Sequence, residues 1–200
     1  MLSELQGQGP KATTILWNDT ANSAHGTPES ASVHIDAPGF VAKNISFKNA
    51  APAPKPGAVG AQAVAIRISG DEAALWGCGF FGAQDTLLDD QFRHYFKECF
   101  IQGGIDFIFG DGRSLYENCT LNSIAEELPE GQRSINGAIT AQGRSTVFYG
   151  EHGCRGDGAN MAGRVAFARN LDDSQARPFL DAPYIDGHEW LKPFDDALFA

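Results

Sequence analysis

Two aspartates are spaced so that they could do chemistry together. Asp85 lies in Gly82-Ala83-Gln84-Asp85-Thr86-Leu87. Asp106, 21 residues on, lies in Gly104-Ile105-Asp106-Phe107-Ile108-Phe109-Gly110. An apolar run of that kind normally excludes a carboxylate, because burying an unpaired charge is costly. Two glutamines, Gln62 and Gln84, stand 22 residues apart beside them. Two carboxylates held close together divide their roles: one has a raised pKa and keeps its proton, the other stays ionised. That pair supplies an acid and a nucleophile or base, which is what hydrolysis needs. Two side-chain amides could donate hydrogen bonds to a developing oxyanion. Phe80, Phe81, Phe107 and Phe109 could form an apolar platform for a sugar ring. Taken singly, either aspartate would sooner cap a turn between coils. The shared spacing of all four polar residues favours a site.

That spacing is also the period of the chain. Ala74-Leu75-Trp76-Gly77-Cys78-Gly79-Phe80-Phe81-Gly82, Tyr95-Phe96-Lys97-Glu98-Cys99-Phe100-Ile101-Gln102-Gly103 and Leu115-Tyr116-Glu117-Asn118-Cys119-Thr120-Leu121-Asn122-Ser123 align without gaps, with cysteines 21 and then 20 apart. Val41 to Asn49 has the same shape, with Asn44 read in the cysteine's place. Short β-type runs recurring every twenty or so residues, broken by Gly and Asn, predict a parallel β-solenoid. Adjacent coils then lie roughly 4.8 Å apart, and side chains one period apart become neighbours. The run Ala51-Pro52-Ala53-Pro54-Lys55-Pro56-Gly57 reads as a surface loop. The repeated cysteines read as small inward-facing core residues. Disulfides among Cys78, Cys99, Cys119 and Cys154 stay possible and unassigned.

The bulk properties narrow the classes. The chain has 200 residues, 42% of them hydrophobic and fourteen of them phenylalanines, enough to build a core and to argue against disorder. A net charge of −10 disfavours nucleic acid and anionic membrane surfaces as partners. No run is apolar enough to span a membrane, and no signal peptide is visible at Met1-Leu2-Ser3-Glu4. The cysteines lack CxxC spacing, so no zinc site is expected, and no cluster of acidic ligands suggests calcium. Three glycosylation sequons, at Asn18, Asn44 and Asn118, carry little weight.

Four motifs carry a family resemblance. Gln62-Ala63-Val64-Ala65-Ile66-Arg67, Gln84-Asp85-Thr86-Leu87, Asp106-Phe107-Ile108-Phe109-Gly110 and Thr140-Ala141-Gln142-Gly143-Arg144 resemble, in order and spacing, the signature motifs of plant pectin methylesterases. The resemblance implies an all-β, right-handed parallel β-helix that removes methyl esters from homogalacturonan (pectin) in the cell wall. It implies Asp106 as nucleophile, Asp85 as general acid/base, and Gln84 and Gln62 as holders of the oxyanion. It implies no metal and no organic cofactor. The expected partner is methyl-esterified homogalacturonan, and the expected state is a monomer, secreted to the cell wall.

The chain also departs from that pattern. The family carries further coils after Thr-Ala-Gln-Gly-Arg, including a Leu-Gly-Arg-x-Trp motif whose Arg holds the nucleophile and whose Trp contacts the sugar. Here Ser145 runs straight into Thr146-Val147-Phe148-Tyr149-Gly150, which resembles the family's C-terminal segment. The expected organisation is therefore one domain, with β-helix coils over 1–145 and a C-terminal segment over 146–200, across an internal deletion near 145/146. Arg164 belongs to that tail motif and is a poor substitute for the missing Arg. Leu88 stands where many members carry an aromatic residue. The alternative reading is a catalytically impaired pectin binder or an unproductive splice variant of the family.

Overall fold

The computed structural model describes residues 4–55, 57–124, 138–141, 148–155, 160–161 and 166–191. It is built from short parallel strands that return to the same three places. The first sheet stacks Glu4–Gln6, Val41–Lys43, Ala73–Trp76, Arg93–Lys97 and Arg113–Glu117. The second stacks Thr14–Trp17, Ser46–Asn49, Gly79–Phe81, Phe100–Gly103 and Thr120–Ser123. The third stacks His34–Ile35, Ile66–Ile68, Leu87–Asp89, Ile108–Phe109 and Thr140–Ala141. This is the predicted parallel β-helix. Its register matches the repeat residue for residue: Ala74 pairs with Tyr95 and Tyr95 with Leu115. Among the described residues no helix is long and apolar enough to cross a membrane.

Strand alternation sends every second residue inward. Phe47, Phe80, Ile101, Ile66, Ile68, Leu87 and Phe96 line the interior with no exposed surface. Phe47 stacks on Phe80 at 5.9 Å, and Phe96 on Tyr116 at 4.5 Å. In the proline-rich run Pro52, Ala53, Lys55 and Gly57 are exposed, and the step from Val41 to Ala74 is longer than one period.

The corner between the first two sheets corrects one assignment. Lys43, Trp76, Lys97 and Glu117 are in register, so Asn44 is equivalent to Gly77, Glu98 and Asn118. All four have left-handed φ, at 52°, 57°, 54° and 52°. Asn44 therefore holds a turn position that Gly and Asn tolerate best. Ile45, not Asn44, occupies the cysteine's place. All four thiols are free: Cys78 and Cys99 are buried, Cys119 is half-buried and Cys154 is exposed.

Two polar features were not foreseen. His94 is fully buried, with Nδ1 2.5 Å from Asp89 Oδ1 and Nε2 3.0 Å from the Gly70 carbonyl. Tyr116 donates to the other Asp89 oxygen at 2.7 Å. Secondly, the helical turns Ala182–Ile185 and Gly187–Trp190 pack on the outer face of the first sheet. There Ile185 is buried among Ala74, Tyr95 and Leu115. Arg93 ties that segment down, pairing with Asp71, Glu72 and Asp186 at 2.6, 2.8 and 3.5 Å.

Burial alone would raise the Asp89 pKa, but the His94 hydrogen bond and charge outweigh it and hold the carboxyl below its usual value. A depressed pKa means that this stabilisation is present above the unfolded carboxylate range, near pH 4, and is lost as pH falls through the folded pKa. Asp89→Asn is expected to lower stability at pH 7 by about 1–3 kcal/mol, the cost of leaving buried hydrogen-bond partners poorly satisfied. The gap should narrow on acidification. Urea unfolding at both pH values reads this, and equal midpoints at pH 7 would refute it.

Candidate active site

Gly82-Ala83-Gln84-Asp85-Thr86 and Gly103-Gly104-Ile105-Asp106-Phe107 are the same corner on successive coils, turning the chain from the second sheet to the third. Each aspartate has left-handed φ, 61° at Asp85 and 47° at Asp106. The residue after each then dives under the glycine four positions earlier. A Cβ on Gly82 would lie 2.6 Å from Thr86 Oγ1, and one on Gly103 would lie 2.1 Å from Phe107 Cβ. Only glycine allows that crossing. The N–H of Asp85 donates to Ile105 O at 3.0 Å, and the N–H of Asp106 to Ala138 O at 2.7 Å. Gln84 bridges to Ile105 across the coils, which leaves Asp85 and Asp106 next to one another in register. The spacing of 21 residues is thus one coil of the solenoid.

Electrostatics separates the two carboxyls. Asp85 is pushed up to about 7, first by burial and then by the Asp106 charge, with a Gln84 side-chain hydrogen bond opposing both. Asp106 is also raised, by burial. Of the pair, Asp85 is the carboxyl that feels both burial and its neighbour's charge, so it keeps its proton into the neutral range.

The N–H of Ala63 donates to Gln84 O at 3.1 Å, so Gln62 sits one coil before Gln84 in the same column. The Gln62 side-chain oxygen is buried without a hydrogen-bond partner among the described residues. An unpaired buried amide is costly, and a bound polar atom could relieve it. Arg67, from the same motif, does not serve the pair: its guanidinium holds Asp90 at 2.8 and 3.0 Å.

Of the four phenylalanines, two turn away from any ligand. Phe80 and Phe107 are 0% and 1% exposed, because alternation and the glycine crossing direct them into the core. They cannot offer a face to a sugar, and their assignment to a substrate platform is corrected. Phe81 and Phe109 are half-buried and outward. Leu88 is buried with Ala31 and Val64 against Phe109, so it supports that ring. Thr86 is a supporting residue that spacing alone did not single out: it is fully buried, and its hydroxyl donates to Gln102 O at 2.9 Å. Gln142, Arg144, Arg164 and the 145/146 junction lie outside the described residues. Among those described, no Arg or Lys pairs with Asp106.

Comparison with known proteins agrees with this geometry. The family model for pectinesterases matches residues 4–146. "Probable pectinesterase 8" of Arabidopsis thaliana is 44% identical over 247 residues, covering 94% of this chain and 63% of the relative. A crystal structure of a pectin methylesterase in complex with a hexasaccharide is 27% identical, with a TM-score of 0.64 over 86% of this chain and 52% of that one. The carrot pectin methylesterase, at 22% identity, shares the fold with a TM-score of 0.74 over 98% of this chain and 86% of its own. The stacked parallel sheets and these structural likenesses make the chain a parallel β-helix protein. The chain belongs to the pectinesterase family. It spans just under two thirds of the length of the Arabidopsis relative.

Asp106→Asn removes the like charge beside Asp85, so the Asp85 pKa is expected to fall from about 7. Burial persists, so it should stop above the ordinary carboxylate range of about 4. Carboxyl carbon NMR titration measures this, and an unmoved Asp85 would mean that the two groups do not interact.

Proposed function

We propose that the chain is an aspartyl esterase that hydrolyses methyl esters of homogalacturonan to free carboxylates and methanol. The observation that carries the proposal is the register of Asp85 and Asp106 on adjacent coils, with Asp85 raised to about 7. The Asp106 carboxylate attacks the C6 carbonyl carbon of a methylated galacturonate. The carbonyl electrons move to oxygen, and the amide N–H groups of Gln84 and Gln62 hold that oxyanion. As the tetrahedral species collapses, the bond to the methoxy oxygen breaks and Asp85 gives up its proton, releasing methanol. Asp85, now a carboxylate, takes a proton from water. The resulting hydroxide attacks the acyl-enzyme, and Asp106 leaves as a free carboxylate. Neither step calls for a metal or an organic cofactor.

The partner is pectin. The support is the hexasaccharide held by the related pectin methylesterase, together with the outward Phe81 and Phe109 as stacking faces. A monomer working in the cell wall, where this polymer lies, fits that reading. We also infer the internal deletion near 145/146. The family model stops at 146. Moreover, 94% of 200 residues is about 188, against 247 aligned, so about 59 positions of the Arabidopsis relative have no counterpart here. The coils at 1–145 would then carry the site, and the tail from 146 would close over the first sheet.

A second reading rests on Asp106 having no Arg or Lys partner among the described residues. A lost charge-assisted hydrogen bond is worth about 1.5–3 kcal/mol, and a misplaced nucleophile costs on the order of 10²-fold in rate. The chain would then bind pectin and turn it over slowly. Methanol release from methylated pectin separates the readings. The parent chain is expected to exceed Asp106→Asn, and its rate should fall as pH rises through about 7, where Asp85 loses its acid proton. Equal release by both proteins would rule out the carboxylate mechanism.

A further inference from the structure

Thr86 follows Asp85 directly, and its side chain reaches across to the neighbouring corner. It is fully buried, and its hydroxyl donates to the carbonyl of Gln102 at 2.9 Å. Gln102 immediately precedes Gly103, the glycine that opens the corner of Asp106. The hydroxyl oxygen is wedged between the two crossings: a Cβ on Gly82 would lie 2.6 Å from it, and one on Gly103 2.9 Å. One polar atom thus lies against the backbone of both aspartate corners.

Packing does not call for that atom. Phe107 holds the equivalent place one coil later, under Gly103, and fills it with carbon alone. Valine has the shape of threonine without the hydroxyl, and a buried hydroxyl gains the fold little, since its bond to a carbonyl only replaces bonds to water. The corner, by contrast, needs holding. Asp85 has a φ of 61°, a conformation that persists only where its surroundings impose it. Backbone bonds already link the two corners, from Asp85 N–H to Ile105 O at 3.0 Å and from Gly104 N–H to Ala83 O at 2.6 Å. Thr86 adds a side-chain bond from the residue next to Asp85.

Resting on the esterase reading, we infer that Thr86 is a positioning residue for the aspartate pair: its hydroxyl, fixed to the Gln102 carbonyl, holds the Asp85 corner against the Asp106 corner. Coulomb interaction falls as separation grows, so the distance that Thr86 maintains sets how strongly the carboxyls feel each other. Among the described residues Asp106 is the charged group that acts on Asp85, and Gln84 is its side-chain hydrogen-bond partner. Loosening the corner weakens the repulsion that keeps the proton on Asp85, and the acid is then lost at lower pH.

The test compares the full chain with Thr86→Val and Thr86→Ser. Carboxyl carbon NMR titration follows Asp85, methanol release from methylated pectin follows turnover, and urea unfolding follows the fold. Thr86→Val is expected to titrate Asp85 below the parent's value of about 7. It should also lower kcat by up to about 10²-fold at an unchanged KM, as a misplaced catalytic group does. Thr86→Ser keeps the hydroxyl and should recover most of both. In chains carrying Asp106→Asn, where the neighbouring charge is gone, adding Thr86→Val should leave Asp85 unmoved; a shift that persists there overturns the inference. Packing alone predicts the reverse order, because valine keeps the volume and serine does not. Parent-like titration by Thr86→Val, or a Thr86→Ser chain no better than Thr86→Val, therefore overturns it as well. So does loss of the cooperative urea transition in Thr86→Val, which would make the hydroxyl a requirement of the fold. The titration needs no turnover, so an inactive parent chain defeats the esterase reading and leaves the role of Thr86 to be judged on Asp85.

Discussion

Each coil has to return to its starting point within about twenty residues, because the strands hydrogen-bond only to their counterparts on the coils before and after. That constraint puts sharp corners between the sheets, and the corners need left-handed backbone, which costs ordinary residues about 1–2 kcal/mol each. The chain fills the first kind of corner with Asn44, Gly77, Glu98 and Asn118. It fills the second kind with Asp85 and Asp106. The aspartate pair thus occupies positions that the solenoid must strain in any case. A short polar side chain tolerates that strain, and the same geometry aims it outward while the following residue turns into the core.

From that placement the chemistry follows with little added. Stacking at coil spacing brings the carboxyls together, half-burial removes the water that would screen them, and both effects raise Asp85. The glycine crossings at Gly82 and Gly103 fix the corner from below, and Thr86 ties it to the next coil through the Gln102 carbonyl. Interior polarity is handled differently. Asp89 and His94 are buried together and also bonded to Tyr116 and Gly70, so their polar atoms stay hydrogen-bonded inside the solenoid. Both features place carboxyls away from water, but only the corner sets two of them side by side.

The period was legible because strand stacking repeats residue types at fixed intervals. Ala74, Tyr95 and Leu115 pair as the gapless alignment implied, and Asp85 and Asp106 meet as their spacing implied. What spacing does not reveal is direction. Phe80 and Phe107 sit beside outward residues in the sequence, yet point inward, because alternation and a glycine four residues back decide their side. Asn44 was misassigned by one position, since Asn serves both as a ladder residue and as a turn residue, and only its φ tells them apart. The Asp89–His94 pair joins residues five apart on different elements, with no motif to announce it. The docking of Ile185 on the first sheet lay beyond any periodic signal, because the tail is not part of the repeat.

The net charge of −10 sharpens the reading of the polymer. A neutral methyl ester approaches this surface without repulsion, whereas each hydrolysed ester leaves a carboxylate that the overall field opposes. At physiological ionic strength that field is screened beyond about 8 Å, so contacts close to the sheet decide what stays bound. On the esterase reading, a methylated chain would be held by contacts such as the outward Phe81 and Phe109, and the carboxylates it gains on hydrolysis would favour its release.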